Sequence, residues 1–400
     1  MKRNAIRIII VALCLVMLLG IAACNKEETK EPESTPADSG STAQLPAVNP
    51  NIPDYVYVQP EGTVFDVNAY YNEKDPELAC NVTIRRTGGV VAVPDNPTTP
   101  MPQAKERYTI GFSVYYTVDE VGAVFLDTMK KAASEAGVEL LVNDANYDQN
   151  AQNMAIEQWI LQNVDGVILA PCDFYGVKDA LDKLEAAGIP VVTCNPPLAG
   201  NIDAYFTTDC VEQGYMAGKM LVDYLNAQGT PIKGKVIYQT LPFLHPNAVT
   251  RAMGFMEAFK DYPDVEIIEL TGISPEEHYV AFEGALLANP DMIGAWGLYS
   301  SATIGMMNAK LAAGSDVPLT SIDNDKIILA GIKEGSVIGS ACYSGMVPAW
   351  WSMSQIVNLL NGVEIPGTVL GENIPVTPDN VDALFAHYYP GQTLAGYMAG

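Results

Sequence analysis

Residues 138–171 read VELLVNDANYDQNAQNMAIEQWILQNVDGVILAP. A β-rich run at 139–143 leads through a segment of helical period to a second β-rich run at 166–170. Strand, helix, strand is the βαβ unit, and it demands parallel pairing because the crossover is too long for a hairpin. The same alternation extends outward from residue 107. Strands are predicted at 108–114, 139–143, 166–170, 190–193, 235–239, 265–270, 293–298, 318–322 and 336–342. Between them lie helices with recognisable stops. The first carries Phe125, Met129, Ala132 and Ala136 on one face and ends at Gly137, suited to a left-handed cap. Another starts Ser274-Pro275-Glu276-Glu277, with capping-box spacing and proline in the first turn. Regular alternation of this kind gives an α/β protein with two consecutive doubly wound sheets, or one very wide one.

The chain before this region has three parts. Residues 1–23 open with Lys2, Arg3 and Arg7, continue as a short apolar run and end Ile21-Ala22-Ala23 ahead of Cys24. The run is shorter than the roughly 20 apolar residues of a comfortable membrane span. It reads as an export signal with small residues at the cleavage site, and it resembles the bacterial lipoprotein signal, which implies lipidation of Cys24. Residues 24–50 are Lys, Glu, Pro, Ser, Thr and Ala with little to bury, and they read as a flexible tether. Residues 51–105 form a β-rich extension, where 82–84 and 90–93 are predicted to pair as a hairpin about Gly88-Gly89.

The 400-residue chain carries a formal charge of -25, and loss of Lys2, Arg3 and Arg7 with the signal leaves -28. Such a surface repels phosphate backbones, so nucleic acid is not expected as a partner. Of seven cysteines, five would remain after export and lipidation, at 80, 172, 194, 210 and 342. An odd, scattered set is not a disulfide framework.

Longer stretches carry a family resemblance: IGFSV at 110–114, SEAG at 134–137, the quoted 138–171, AAGIPVVTCN at 186–195 and AYFTTDCVEQGYMAG at 204–218. It continues through KVIYQT, RAMGF, IGAWGLYSSATIG, LTSID and LLNGVEIPG. Over residues 106–375 the sequence resembles the type I periplasmic binding proteins of the ribose-binding branch. That resemblance implies two Rossmann-like lobes joined by a three-segment hinge, with a ligand closed between them. The expected division is 106–208 with 344–373 for lobe 1 and 209–343 with 374–390 for lobe 2.

Ligands of open parallel sheets collect outside the carboxyl ends of the strands. The resemblance places Tyr115, Tyr116 and Asp119 after the first strand, Asn195 after VVT, His245 and Asn247 before the helix holding Arg251, then Tyr299, Asp323 and Tyr343. Asp323 matches the family's ligand aspartate. Val121 and Gly122 replace a pair of phenylalanines, Asn195-Pro196 replaces an Asp-Arg pair, and Val249 replaces an arginine. Tyr299-Ser300 and Tyr343 stand for Asn-Asp and Gln, while Arg251 falls at a position usually structural. The pocket therefore keeps one carboxylate, loses the guanidinium that grips sugar hydroxyls and gains tyrosines. Each tyrosine equally fits core packing, and Asp323 equally fits a helix cap before Lys326.

Several enzyme and cofactor readings fail on spacing. Residues 229–235, GTPIKGK, approach a phosphate-binding loop, but Val236 replaces the magnesium-holding hydroxyl and the order is helix, loop, strand. Cys172, Cys194 and Cys210 fall near strand ends without C-x-x-C spacing, so buried reduced thiols are expected, with a Cys172–Cys194 bridge as the alternative. No G-x-S-x-G elbow occurs, and Asp119 with Asp323 is the single carboxylate pair for the cleft. The sequence points to a lipid-anchored, monomeric solute-binding protein of an ABC importer, taking a sugar or sugar-like molecule and delivering it to a membrane permease. No cofactor, metal or catalysis is expected. The alternatives are a ligand-sensing lipoprotein for a membrane receptor, or a nucleoside or aromatic ligand.

Overall fold

A computed structural model describes residues 82–84, 90–96, 99–117, 120–173, 176–195, 198, 200–242 and 245–400. The signal segment, Cys24, the tether, most of the extension and Asp119 lie outside the described residues. In chain order the elements are β1 (Val82–Ile84), β2 (Val90–Val93), β3 (Thr109–Val114), α1 (Glu120–Ala136), β4 (Glu139–Asp144), α2 (Gln149–Gln162), β5 (Gly166–Leu169), α3 (Lys178–Ala186), β6 (Val191–Cys194), β7 (Gly200–Ile202) and β8 (Ala204–Thr208). Then follow α4 (Cys210–Ala227), β9 (Gly234–Thr240), α5 (Pro246–Ala258), β10 (Val265–Thr271), α6 (Pro275–Ala288), β11 (Met292–Gly297), α7 (Ser300–Ala313), β12 (Leu319–Ile322), α8 (Lys326–Glu334), β13 (Gly339–Cys342), α9 (Met346–Leu360), β14 (Thr368–Gly371), β15 (Ile374–Val376), α10 (Val381–Tyr388) and α11 (Leu394–Ala399).

Two large sheets result, so the two-sheet alternative holds over the single wide one. The first is seven-stranded in the order β2-β14-β8-β6-β5-β3-β4, with every pairing parallel. The second is six-stranded, β10-β9-β11-β12-β13-β15, parallel except for the β13–β15 edge. Central strands are buried along their whole length, as in GVIL of β5 and LTSI of β12, because helices cover both faces. The outer strands β4 and β10 lack this continuous burial.

The helices follow the local signals. Phe125, Met129, Ala132 and Ala136 of α1 are buried, and Gly137 after it takes φ 75°. Ser274 accepts from the Glu277 N–H at 3.2 Å, while the Glu277 carboxylate reaches the N–H of Ile273, one residue before the cap. That displacement departs from the capping box while satisfying the same kind of orphan donor.

The chain passes from the first sheet to the second between β8 and α4, returns between β13 and α9, and leaves again between β14 and β15. Helix α9 accordingly packs on α1 and on β5, β6 and β8, while α4 packs on β12 and β13.

The expected hairpin about Gly88-Gly89 does not form. β1 runs parallel to β7, and β2 joins the first sheet as an edge strand parallel to β14. The free edge of β14 offers Val90–Val93 a full ladder far along the chain, which outweighs the local turn signal. Just beyond β2, Asp95 accepts from the Ser344 N–H at 2.5 Å, and its carbonyl lies 2.8 Å from His387 Nε2. After β2 the extension is thus laced to the second crossing and to α10, while β1 forms a separate two-stranded sheet with β7. Strands β7, β8, β14 and β15 also extend the set predicted from sequence. Among the described residues no helix is long and apolar enough to cross a membrane.

Candidate ligand-binding site

Strand ends build the site. Tyr115, Asn195, Asp323 and Tyr343 each directly follow the last residue of a parallel strand, β3, β6, β12 and β13 respectively, and Tyr299 stands two residues beyond β11. His245 precedes α5, and Asn247 lies in its first turn. These residues and Tyr116 line one cavity of about 50 Å³ between the carboxyl ends of the two sheets. Every described residue expected at the site is therefore brought together; Asp119 lies outside the described residues.

Arg251 is the main residue that sequence reasoning missed. Its Nη2 lies 3.6 Å from Asp323 Oδ1, both side chains being nearly buried. Nε donates to Gln213 Oε1 at 2.8 Å and Nη1 to the Leu298 carbonyl at 3.1 Å. Burial opposes the guanidinium charge, yet the Asp323 carboxylate holds its pKa above the ordinary value. Gln213 in turn donates to Thr208 and Asn373, which flank the first and third crossings. Arg251 of α5 thus places a guanidinium at the cavity wall, although Pro196 and Val249 stand where the resemblance would have arginines.

Asp323 Oδ2 accepts from the N–H of Ser300 at 3.1 Å, and its Oδ1 faces Arg251, so the one carboxylate among the described lining residues has its charge matched. His245 is buried, and burial first, with Arg251 second, pushes its pKa down to about 3. The imidazole is neutral at pH 7. Its Nε2 and Asn247 Oδ1 are buried without a hydrogen-bond partner. Buried polar atoms are nearly always paired, so these two mark where a ligand's polar groups would sit.

The tyrosines divide by role. Asn195 Nδ2 donates to the Tyr343 hydroxyl at 2.8 Å, so one expected contact orients another. The Tyr299 hydroxyl donates toward the Gly272 carbonyl at 2.9 Å and lies 2.6 Å from His278 Nε2. That hydroxyl is thus already engaged by protein groups, and the residue lines the cavity. Gln239 donates its amide to the His278 carbonyl at 3.1 Å, and its oxygen lies 2.8 Å from His278 Nδ1. Tyr147, a second residue not singled out, stacks on Tyr115 and Tyr116 with ring centroids at 5.8 and 5.0 Å. Its signal was available: Tyr147 lies three residues past the parallel strand β4, near a strand end like the other site residues.

Other chemistry is not assembled here. Cys172, Cys194, Cys210 and Cys342 are buried free thiols, and burial first raises Cys172 and Cys194 to about 12. Residues 229–235 join α4 to β9, helix to strand. Among the described residues no three or more His, Cys, Asp or Glu are grouped to hold a metal.

Two doubly wound sheets, three crossings and a polar, aromatic cavity at facing strand ends define a ligand-trapping protein of the binding-protein class. The chain belongs to the periplasmic binding protein domain family, whose model matches residues 110–364. It is a solute-binding protein and not an enzyme, and membership implies export. It is similar to the ribose import binding protein of Bacillus subtilis, 23% identical over 66% of this chain and 86% of that one. A xylitol-binding protein of Mycolicibacterium smegmatis is 24% identical, covering 70% and 79%. Among solved structures, an ABC transporter solute-binding protein from Mycobacterium smegmatis with glycerol bound aligns with TM-score 0.65 and 25% identity over 70% of this chain and 97% of that one. One from Bacillus halodurans with myo-inositol bound gives TM-score 0.65 at 23% identity over 70% and 98%.

Proposed function

We propose that this chain is the lipid-anchored solute-binding component of an ABC importer, capturing an uncharged, hydroxyl-rich small molecule of sugar or polyol type and passing it to a membrane permease. The observation that carries this reading is the pairing of a charge-balanced Arg251–Asp323 couple with two unsatisfied buried atoms, His245 Nε2 and Asn247 Oδ1. An anion would have to pull Arg251 from Asp323, and a cation the reverse; a hydroxyl satisfies both orphans without disturbing the pair. The ligand residues on this reading are Tyr115, Tyr116, Asp119, Asn195, His245, Asn247, Asp323 and Tyr343, with the Tyr299 ring and Arg251. The ribose, xylitol, glycerol and inositol of the relatives and structural neighbours are ligands of the same chemistry.

Closure would bring lobe 1 (106–208 with 344–373) onto lobe 2 (209–343 with 374–390), and the permease would read the closed form. Cys24 and the tether would hold this trap at the membrane. A thermal-shift screen of the mature chain against pentoses, hexoses, polyols and nucleosides tests the ligand class. Solute at 100 times its dissociation constant should add about 2.7 kcal/mol. The tyrosine-and-histidine wall also suits a planar base, so a response to nucleosides with silence from every sugar and polyol would replace the carbohydrate reading.

A further inference from the structure

The first turns of α1 and α8 exchange their caps. Helix α1 belongs with the first sheet and α8 with the second. Glu120 Oε2 accepts from the N–H of Lys326 at 2.7 Å, and Asp325 Oδ1 accepts from the N–H of Glu120 at 3.1 Å. Asp325 is the residue preceding α8, yet its side chain makes no cap bond to that helix. It serves the helix of the other lobe instead. Each helix start thus has an orphan donor satisfied by a carboxylate from across the cleft, where the helix dipoles also favour negative charge. Lys326 Nζ lies 3.1 Å from Glu120 Oε1 and 4.7 Å from the Tyr389 ring centroid, and the Tyr389 hydroxyl lies 3.0 Å from the Asn324 carbonyl and 3.3 Å from Glu120 Oε2.

This exchange touches the pocket through one hydroxyl. Ser300, fully buried at the start of α7, has Oγ 3.3 Å from Asp323 Oδ2 and in closer contact with Asp325 Oδ2. A hydroxyl has one proton to donate. Whichever carboxylate receives it is held, so the state of Asp323 in the cavity bears on how firmly Asp325 is fixed at the cleft mouth.

We propose that Glu120 and Asp325 form a closure latch that holds the lobes together in the absence of solute, and that Ser300 is the positioning residue coupling the latch to Asp323. The coupling rests on the reading of Asp323 as a pocket residue; the latch itself does not. When a solute hydroxyl donates to Asp323, the Ser300 proton is left to Asp325, and capture tightens the latch.

The test is single-molecule energy transfer on the full mature chain in detergent, with azide-bearing residues at 161 and 287 for labelling. Leu161 and Leu287 are 81% and 84% exposed, on α2 and α6 of opposite lobes, so labels there leave both cores alone. Without any solute, the wild-type chain should show a measurable closed population. Loss of one cap should lower the closed-to-open ratio about fivefold in Glu120→Ala and in Asp325→Ala. Glu120→Gln, which keeps the acceptor and loses the Lys326 pairing, should fall between and serves if the alanine variant fails to fold. Asp323→Asn should shift the ratio in the Ser300 background and lose that effect in Ser300→Ala. Unchanged ratios in both alanine variants, or a wild-type chain found only open, overturn the latch. An Asp323→Asn effect undiminished in Ser300→Ala overturns the coupling. Because no solute is present, these failures are separate from a negative ligand screen.

Discussion

Asn195 and Asp323 stand at matching places in the two sheets. Each lies one residue past the fourth strand from the edge, β6 or β12, and both adopt a left-handed backbone, φ 71° and 74°. Each N–H donates to the carbonyl of the next strand, Phe206 at 2.9 Å and Ala341 at 3.3 Å. Asn and Asp tolerate this conformation better than other side chains, so the two strands can turn out and still present a polar group to the cleft. The amide steadies Tyr343, while the carboxylate balances Arg251.

Backbone and side-chain roles at Asn195 should therefore separate. Asn195→Gly keeps the left-handed turn and should leave stability near that of wild type while weakening ligand affinity through a loose Tyr343. Asn195→Val is strained as well and should cost about 1–2 kcal/mol more. Urea melts of the two variants, with calorimetry against a solute from the screen, check the split.

The buried pair Arg251–Asp323 should behave as a unit. Asp323→Ala strands a buried guanidinium and should destabilise the chain by about 3–5 kcal/mol. Arg251→Met strands the carboxylate and should do likewise. The double variant should lose much less than the two added together, and a double-mutant cycle by chemical denaturation measures the difference. Additive losses would mean that the 3.6 Å approach carries no coupling.

How the sequence revealed some of this and hid the rest follows from the range of the forces involved. Buried runs such as GVIL and VVTC announce central parallel strands by themselves, because both faces must be apolar. Val90–Val93 carries no mark of its partner, since parallel edge pairing with Thr368–Gly371 is decided by a tertiary edge and not by neighbouring residues. Asp323 was legible because it ends a strand. Arg251 was not, because it reaches the cavity from within α5 and is held there by Gln213 of α4, a contact no local pattern encodes.

Acid should unfold this protein partly through two of its three histidines. His245, pushed down to about 3, and His278, pushed down to about 4, both chiefly by burial, are neutral in the fold but bind a proton below about 6.5 when unfolded. The unfolded state then holds more protons between those values, so stability is complete above pH 7 and falls as pH drops through 6.5 toward 4. Each histidine contributes at most about 1.4 kcal/mol per pH unit. His245→Gln should flatten the stability-against-pH curve over pH 4–6, measured by urea midpoint; an unchanged slope would show that His245 does not titrate on unfolding.

The anchor should be separable from the trap. Cys24→Ala in the full chain should abolish membrane retention and solute uptake in cells, while the secreted protein keeps its dissociation constant. Retention of the variant at the membrane after signal cleavage would count against lipidation of Cys24.

Helix packing sets the depth at which Arg251 enters the cavity. At the crossing of α4 and α5, a Cβ on Gly214 would meet the Arg251 carbonyl at 1.8 Å, and one on Gly254 would meet the Val211 carbonyl at 1.8 Å. Backbone meets backbone there, so no side chain can swing aside to make room. Gly254→Ala must push the two helices apart, and the shift carries Arg251 with it because the residue sits in the same turn. The cost should be about 1–3 kcal/mol of overpacking, accompanied by weaker solute binding although the glycine lies outside the cavity lining. A control is Gly284→Ala, on α6, where an added Cβ meets nothing within 4 Å. That change should be neutral or slightly stabilising, since alanine favours a helix over glycine. Equal behaviour of the two variants in thermal melts and solute titrations would remove the α4–α5 crossing as the element that positions Arg251.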